Sequence, residues 1–181
     1  MLNQQNSQLP PWHLLIAWSS CGLFIPCLSA FGRPLQHWVY YNIGEVTIAW
    51  IIGLVLFGLG VAAIYWQAKQ GLKGRRNTLV LMGIALVVAL IVITASLPQT
   101  EERLHFVTFG LFGFFSKRLF PVWLAILAIF IGSAGDELFQ AWLPDRVGDW
   151  RDVGINIIAG IIGFVFAWAG SVKESLRIGS S

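Results

Sequence analysis

The residues best suited to chemistry lie between Asp136 and Asn156, in DELFQAWLPDRVGDWRDVGIN. This stretch holds Asp136, Glu137, Asp145, Asp149 and Asp152, out of nine Asp and Glu in the chain, together with Arg146 and Arg151. Apolar sequence flanks it on both sides. Glu137 and Gln140 are spaced i, i+3, as are Asp149 and Asp152, so each pair shares a helix face. Asp152, Asn156 and Gly160 continue down one face: an acid, an amide one turn deeper, then a gap. A second polar site lies upstream, where Glu101 and His105 are spaced i, i+4. A carboxylate there would hold one imidazole nitrogen and set the tautomer. Glu137 or Asp152 would then serve as a base with His105 as its acid–base partner. Arg146 would hold an anionic group.

Each element also has a plain reading. His105 suits a membrane-interface histidine bonded to a neighbour. Glu137 suits an ion pair with Arg146 or Arg151 that braces a loop. Asn156 suits a hydrogen-bonded clamp between helices. Trp142 and Trp150 suit headgroup anchors. Carboxylates and an amide are also ligands for Mg²⁺ or Ca²⁺, but no spacing here demands a metal. No metal site and no cofactor is expected.

The elements that must position these residues are membrane helices. Of 181 residues, 56% are hydrophobic and 12% charged, and mean hydropathy is +0.71. Soluble domains carry about 25% charged residues. The basic residues are scattered over loops, so the sequence pI near 9.1 does not argue for nucleic acid. Cys21 and Cys27 share one apolar segment on different helix faces, which excludes a disulfide between them. The N-terminus carries no Lys or Arg before the first apolar stretch, so that stretch reads as a retained span.

A span needs about 20 apolar residues. Six candidates follow, at 11–31, 45–67, 78–97, 100–116, 119–135 and 153–172. The fourth is the least apolar, because Glu101, Glu102 and Arg103 open it and Lys117 and Arg118 close it. The expected fold is therefore all-α, a polytopic transmembrane bundle of about six spans. With both termini in the cytoplasm, Lys69, Lys73, Arg75, Arg76, Lys117, Arg118, Lys173 and Arg177 fall inside. Arg33, Arg103, Arg146 and Arg151 fall outside, as the positive-inside rule prefers. The chemistry-bearing segments, with GRPLQHWVYYNIGE after the first span, then face outward.

The order HF in ERLHFVTFGLFG, then DELFQ, then RVGDWRDVGINIIAGIIG resembles the VanZ-like membrane proteins. The matching positions are His105, Phe106, Glu137, Gln140, Arg146, Asp149, Asp152, Asn156 and Gly160. The resemblance covers 78–172, which reads as a four-span domain. It leaves 1–77 as a two-span extension with a basic loop and 173–181 as a cytoplasmic tail. Two positions depart from the pattern. Glu101-Glu102 stand where the family often has Asp-Lys, with Arg103 one place later, and Phe109 stands where an aromatic hydroxyl is common.

The resemblance implies an integral membrane protein. The family's namesake is linked to glycopeptide (teicoplanin) resistance. The expected function is an outward-facing polar site in the cytoplasmic (inner) membrane that recognises or modifies an amphiphilic envelope-related molecule. His105, Glu137 and Asp152 would be catalytic, Gln140, Arg146, Asp149 and Asn156 would bind substrate, and Glu101 and Gly160 would be structural. The alternative is an accessory or assembly subunit of a membrane complex, with the same residues as an interhelical clamp. Its glycine run from Gly53 to Gly60 would suit packing against a partner subunit.

The topology has a direct check. With Cys21 and Cys27 replaced, a single cysteine placed in 69–76 should react with a membrane-impermeant thiol reagent in opened cells only. Labelling in intact cells overturns the orientation.

Overall fold

The computed structural model describes residues 12–69, 83–84, 100–144, 146 and 148–178. Among the described residues five long helices carry the architecture: α1 (Trp12–Ile43), α2 (Glu45–Lys69), α3 (Thr100–Leu119), α4 (Val122–Trp142) and α5 (Trp150–Ile178). No strand occurs among the described residues. Among the described residues four helical stretches are long and apolar enough to cross a membrane: Trp12–Ile43, Glu45–Ala62, Val122–Trp142 and Trp150–Trp168. Of the expected span at 78–97 only residues 83–84 are described, and both are helical; the rest lies outside the described residues.

Two boundaries differ from the sequence reading. The first apolar span was drawn to residue 31, but α1 continues through GRPLQHWVYYNI to Ile43, 32 residues in all. That is about 48 Å of helix, longer than the roughly 30 Å hydrocarbon core. Pro26 and Pro34 lie inside α1, where each removes one backbone donor without ending the helix. The chain turns only at Gly44, whose φ of 88° is a conformation that glycine adopts without steric cost. Likewise α4 does not stop at residue 135 but runs to Trp142, so Asp136, Glu137 and Gln140 sit on its last two turns.

The least apolar helix is the central one. α3 packs most extensively on α5, next on α1, and also against α4 and α2. It needs no continuous lipid-facing surface because neighbours supply its surroundings. Phe106, Phe109 and Phe112 form a cluster with Ile25 of α1 and Ala159 of α5, and Trp18 and Cys21 pack on it. A second cluster joins Ala125 and Ile129 of α4 to Phe164 of α5. The outer faces are apolar instead of charged: Leu23, Phe31, Trp50, Leu54, Ile131 and Leu138 are all more than half exposed. Exposed apolar faces of this extent belong against lipid. Cys21 and Cys27 are both free thiols.

Glycine sets the closest approach. A Cβ on Gly113 would lie 2.0 Å from the Gly160 carbonyl oxygen, and one on Gly163 would lie 1.7 Å from the Gly110 carbonyl oxygen. Backbone therefore touches backbone, the arrangement that small residues permit between membrane helices. Gly110 faces Ala159 and Gly113 faces Gly160, while Glu102 meets Arg151, so α3 and α5 run parallel. α4 runs against both, with Ile129 under Gly160 and Glu137 beside Asp149. Trp18 contacts Ser116 and Ser29 contacts Asp136, which sets α1 antiparallel to α3. The start of α1 and the end of α5 thus share one end of the bundle. Glu102, Asp136, Glu137, Asp149 and Asp152 lie towards the other end.

Gly163→Val should cost at least about 1–3 kcal/mol of overpacking and lower the unfolding temperature in detergent or prevent accumulation. Gly53→Ala and Gly58→Ala, where an added Cβ meets nothing within 4 Å, should leave it unchanged. Equal effects at all three positions would refute the packing assignment.

Candidate functional site

The polar site is assembled where α3 begins, α4 ends and α5 begins. One face of α4 carries it, since Ala125, Ile129, Ser133, Asp136, Glu137 and Gln140 are all buried. That face changes from apolar to polar along its length. The first turns meet Phe164, and the last two meet polar groups from other helices.

Asp136 is the hub, and it is 4% exposed. The Ser29 hydroxyl on α1 donates to its Oδ1 at 2.5 Å. On its other oxygen, the Gln140 amide donates at 3.1 Å and His105 Nδ1 on α3 lies 3.3 Å away. A buried carboxylate needs such partners because desolvation is otherwise very costly. One carboxylate thereby ties α1, α3 and α4 together. Ser29 belongs to a helix that the sequence reading placed outside the functional domain. Asp136 was passed over for its neighbour Glu137. The signal for it was present: Asp136 is four residues before Gln140 and three after Ser133, on the inward face.

His105 is also buried. Its ring lies against Phe109, with centroids 6.4 Å apart and planes at 26°. With Nδ1 turned to Asp136, the Nδ1–H tautomer is favoured and Nε2 carries the free lone pair. Nε2 and Ser133 Oγ are buried atoms with no hydrogen-bond partner among the described residues. The expected carboxylate partner of His105 was Glu101; the structure supplies Asp136 from another helix. The Glu101 side chain lies outside the described residues.

Glu137 has a different occupation. Its Oε1 accepts from Gln140 at 3.2 Å, and its Oε2 accepts the backbone N–H of Asp149 at 3.0 Å. It fastens the α4–α5 connection onto α4. Gly148 makes that seating possible, since a Cβ there would lie 2.7 Å from the Glu137 carbonyl oxygen. A cavity of about 170 Å³ opens beside it, lined by Glu137, Asp149, Ala134, Leu138, Trp150 and Val153 among others.

Asp149 is exposed and precedes α5 instead of lying on its face. Its Oδ1 accepts the Arg151 N–H at 2.9 Å, as an N-cap does. Asp152 is half-buried in the first turn of α5, 3.5 Å from Arg151. Arg151 also reaches Glu102 of α3 at 3.4 Å. Arg146 is half-buried in the connection, where its backbone N–H donates to the Leu143 carbonyl.

Asn156 is 2% exposed and Gly160 is buried below it, where a Cβ would lie 2.5 Å from Ile129. The face Asp152–Asn156–Gly160 therefore turns inward as its spacing predicts. The structure gathers His105, Glu137 and Gln140 around Asp136. It places Asp149, Asp152 and Arg146 at the rim. Among the described residues no group of three or more His, Cys, Asp or Glu has metal-binding geometry.

Asp136→Ala removes the shared acceptor of three side chains and should cost about 3–5 kcal/mol, the scale for breaking a buried charged pair. Ser29→Ala removes one hydrogen bond and should cost about 1 kcal/mol. Thermal unfolding of the purified protein checks both, and an unchanged midpoint for Asp136→Ala would contradict the hub.

No curated protein and no solved structure matches the chain. The model of the VanZ/LLP1 family matches residues 18–172. That match takes in α1 and α2, which the sequence reading had set apart as an extension. Spanning most of the 181 residues, it shows that the chain belongs to the VanZ/LLP1 family.

Proposed function

We propose that this protein is a multi-pass protein of the cytoplasmic (inner) membrane, with about six spans and both termini in the cytoplasm. Its polar cluster faces outward and recognises or modifies the head of an amphiphilic envelope-related molecule. That molecule is a lipid-linked precursor, a phospholipid or a lipoglycopeptide. The observation that carries this reading is the state of His105. Its Nδ1 is held by a buried carboxylate while its buried Nε2 has no partner among the described residues. An oriented imidazole with a spare lone pair is equipped to accept a hydrogen bond or a proton from a ligand hydroxyl or amine.

In this reading His105 is the group that meets the ligand and Asp136 is the positioning residue that orients it. Glu137, with both oxygens engaged, holds the connection in place. Asp152, beside Arg151 at the rim, is the second carboxylate that would face the ligand. Arg146, in the same connection, supplies the cation for an anionic head. Trp142 and Trp150, 87% and 82% exposed, suit the headgroup layer.

A second reading is favoured by Asp136 itself, which draws donors from α1 and α4 and a histidine from α3. The cluster is then an interhelical clamp, and the protein is an accessory or assembly subunit of a membrane complex.

Binding separates the two. Native mass spectrometry would compare the wild type with His105→Gln against a lipid-linked precursor, a set of phospholipids and teicoplanin. The functional reading expects His105→Gln to fold and to weaken the cognate ligand by about tenfold or more, the loss of one strong hydrogen bond. Unchanged binding of every ligand, or recovery of the protein only with a fixed partner, would favour the clamp.

A further inference from the structure

A second feature of α4 lies beside the hub. Between α1 and α4 there is a cleft of about 340 Å³, lined by Gly22, Phe112, Ile131, Gly132, Gly135 and Asp136 among others. Its walls are bare because three of these residues have no side chain. The Phe112 ring forms the floor: a Cβ on Gly22 would lie 3.6 Å from it, and one on Gly132 3.1 Å. At Gly135 an added Cβ meets nothing within 4 Å, so this residue borders the open part.

The two ends of the cleft differ. Ile131 at the lip is 62% exposed and lies on the outer face of a helix apolar enough to cross a membrane. In a bilayer that lip meets acyl chains. At the inner end stands Asp136, 4% exposed and bound to Ser29 and Gln140. Water gains little in a space with so few polar partners, and an empty space forfeits dispersion contacts along its whole lining. An aliphatic chain satisfies both conditions. The narrow side, where even a methyl on Gly132 would crowd Phe112, admits a row of methylenes more readily than a methyl-branched polyprenyl chain.

We propose that the α1–α4 cleft is a lateral entry slot that holds one unbranched acyl chain of a membrane phospholipid, with its polar head directed to the Asp136–His105 cluster. The placement of the head rests on the functional reading above. The placement of the tail rests on the cleft alone.

The test uses the full chain in vesicles of phosphatidylglycerol and phosphatidylethanolamine. These contain a trace of phospholipid with a diazirine on one unbranched acyl chain. After irradiation, adducts should map to 131–139 and 22–26. Gly135→Leu, whose side chain enters open space, should reduce that labelling about tenfold without lowering the unfolding temperature. If Gly135→Leu fails to fold, Ile131→Trp at the exposed lip should give the same reduction.

Three results would overturn the slot: labelling unchanged by both variants, adducts spread evenly over the outer faces, or equal labelling of 131–139 by a photoreactive polyprenyl phosphate. A cross-link from a photoreactive residue at 135 to another part of the chain would do so as well. His105→Gln keeps the two proposals separable. If cleft labelling falls in Gly135→Leu while His105→Gln leaves ligand binding intact, the slot stands and the head site fails.

Discussion

A carboxylate buried among membrane helices cannot be left alone, and Asp136 is buried. Its desolvation is offset only by donors brought to it from elsewhere. Ser29 comes from α1, His105 from α3 and Gln140 from the next turn of α4. This requirement sets the register of α1 against α4 and of α3 against α4. It also orients the one imidazole in the site, because His105 turns Nδ1 toward the carboxylate and leaves Nε2 facing the other way. Organisation of the site and cohesion of the bundle are thus two consequences of one interaction.

The start of α5 is held against the start of α3 because the two helices approach to backbone contact at Gly110, Gly113, Gly160 and Gly163. Larger residues there would push α5 away from α3. The glycine contact also explains how α3, with charged residues in its first and last turns, sits at the centre of an apolar bundle. Its middle is Phe106, Phe109 and Phe112, enclosed by neighbours, while Glu102 meets Arg151 at the polar end. Phe109 stacks on His105 and gives the imidazole an apolar wall.

Much of this was legible in the residues. Composition identified membrane helices, and the i, i+3 and i, i+4 spacings put Glu137 with Gln140 and Asp152 with Asn156 and Gly160. Both faces turn inward. The helix ends were less legible. The apolar spans were drawn only to 31 and 135, yet α1 continues to Ile43 and α4 to Trp142, because helical hydrogen bonding does not stop where hydropathy falls. The carboxylate at His105 Nδ1 was not legible either, because Asp136 lies on another helix, 31 positions away in the chain.

What the sequence determined by itself was what local period and solvent govern: the helical character of the described residues and the inward faces that carry Glu137 with Gln140 and Asn156 with Gly160. Only the tertiary structure decided which oxygen faces which nitrogen. Ser29 is one more serine in an apolar helix until α1 packs beside α4. Asp136 and Glu137 are adjacent acids, but their side chains leave the helix about 100° apart. One reaches Ser29 and His105, and the other reaches back to the Asp149 backbone. Neighbours in sequence share composition, but the helix rotates them toward different partners, and the partners are known only once the helices have packed.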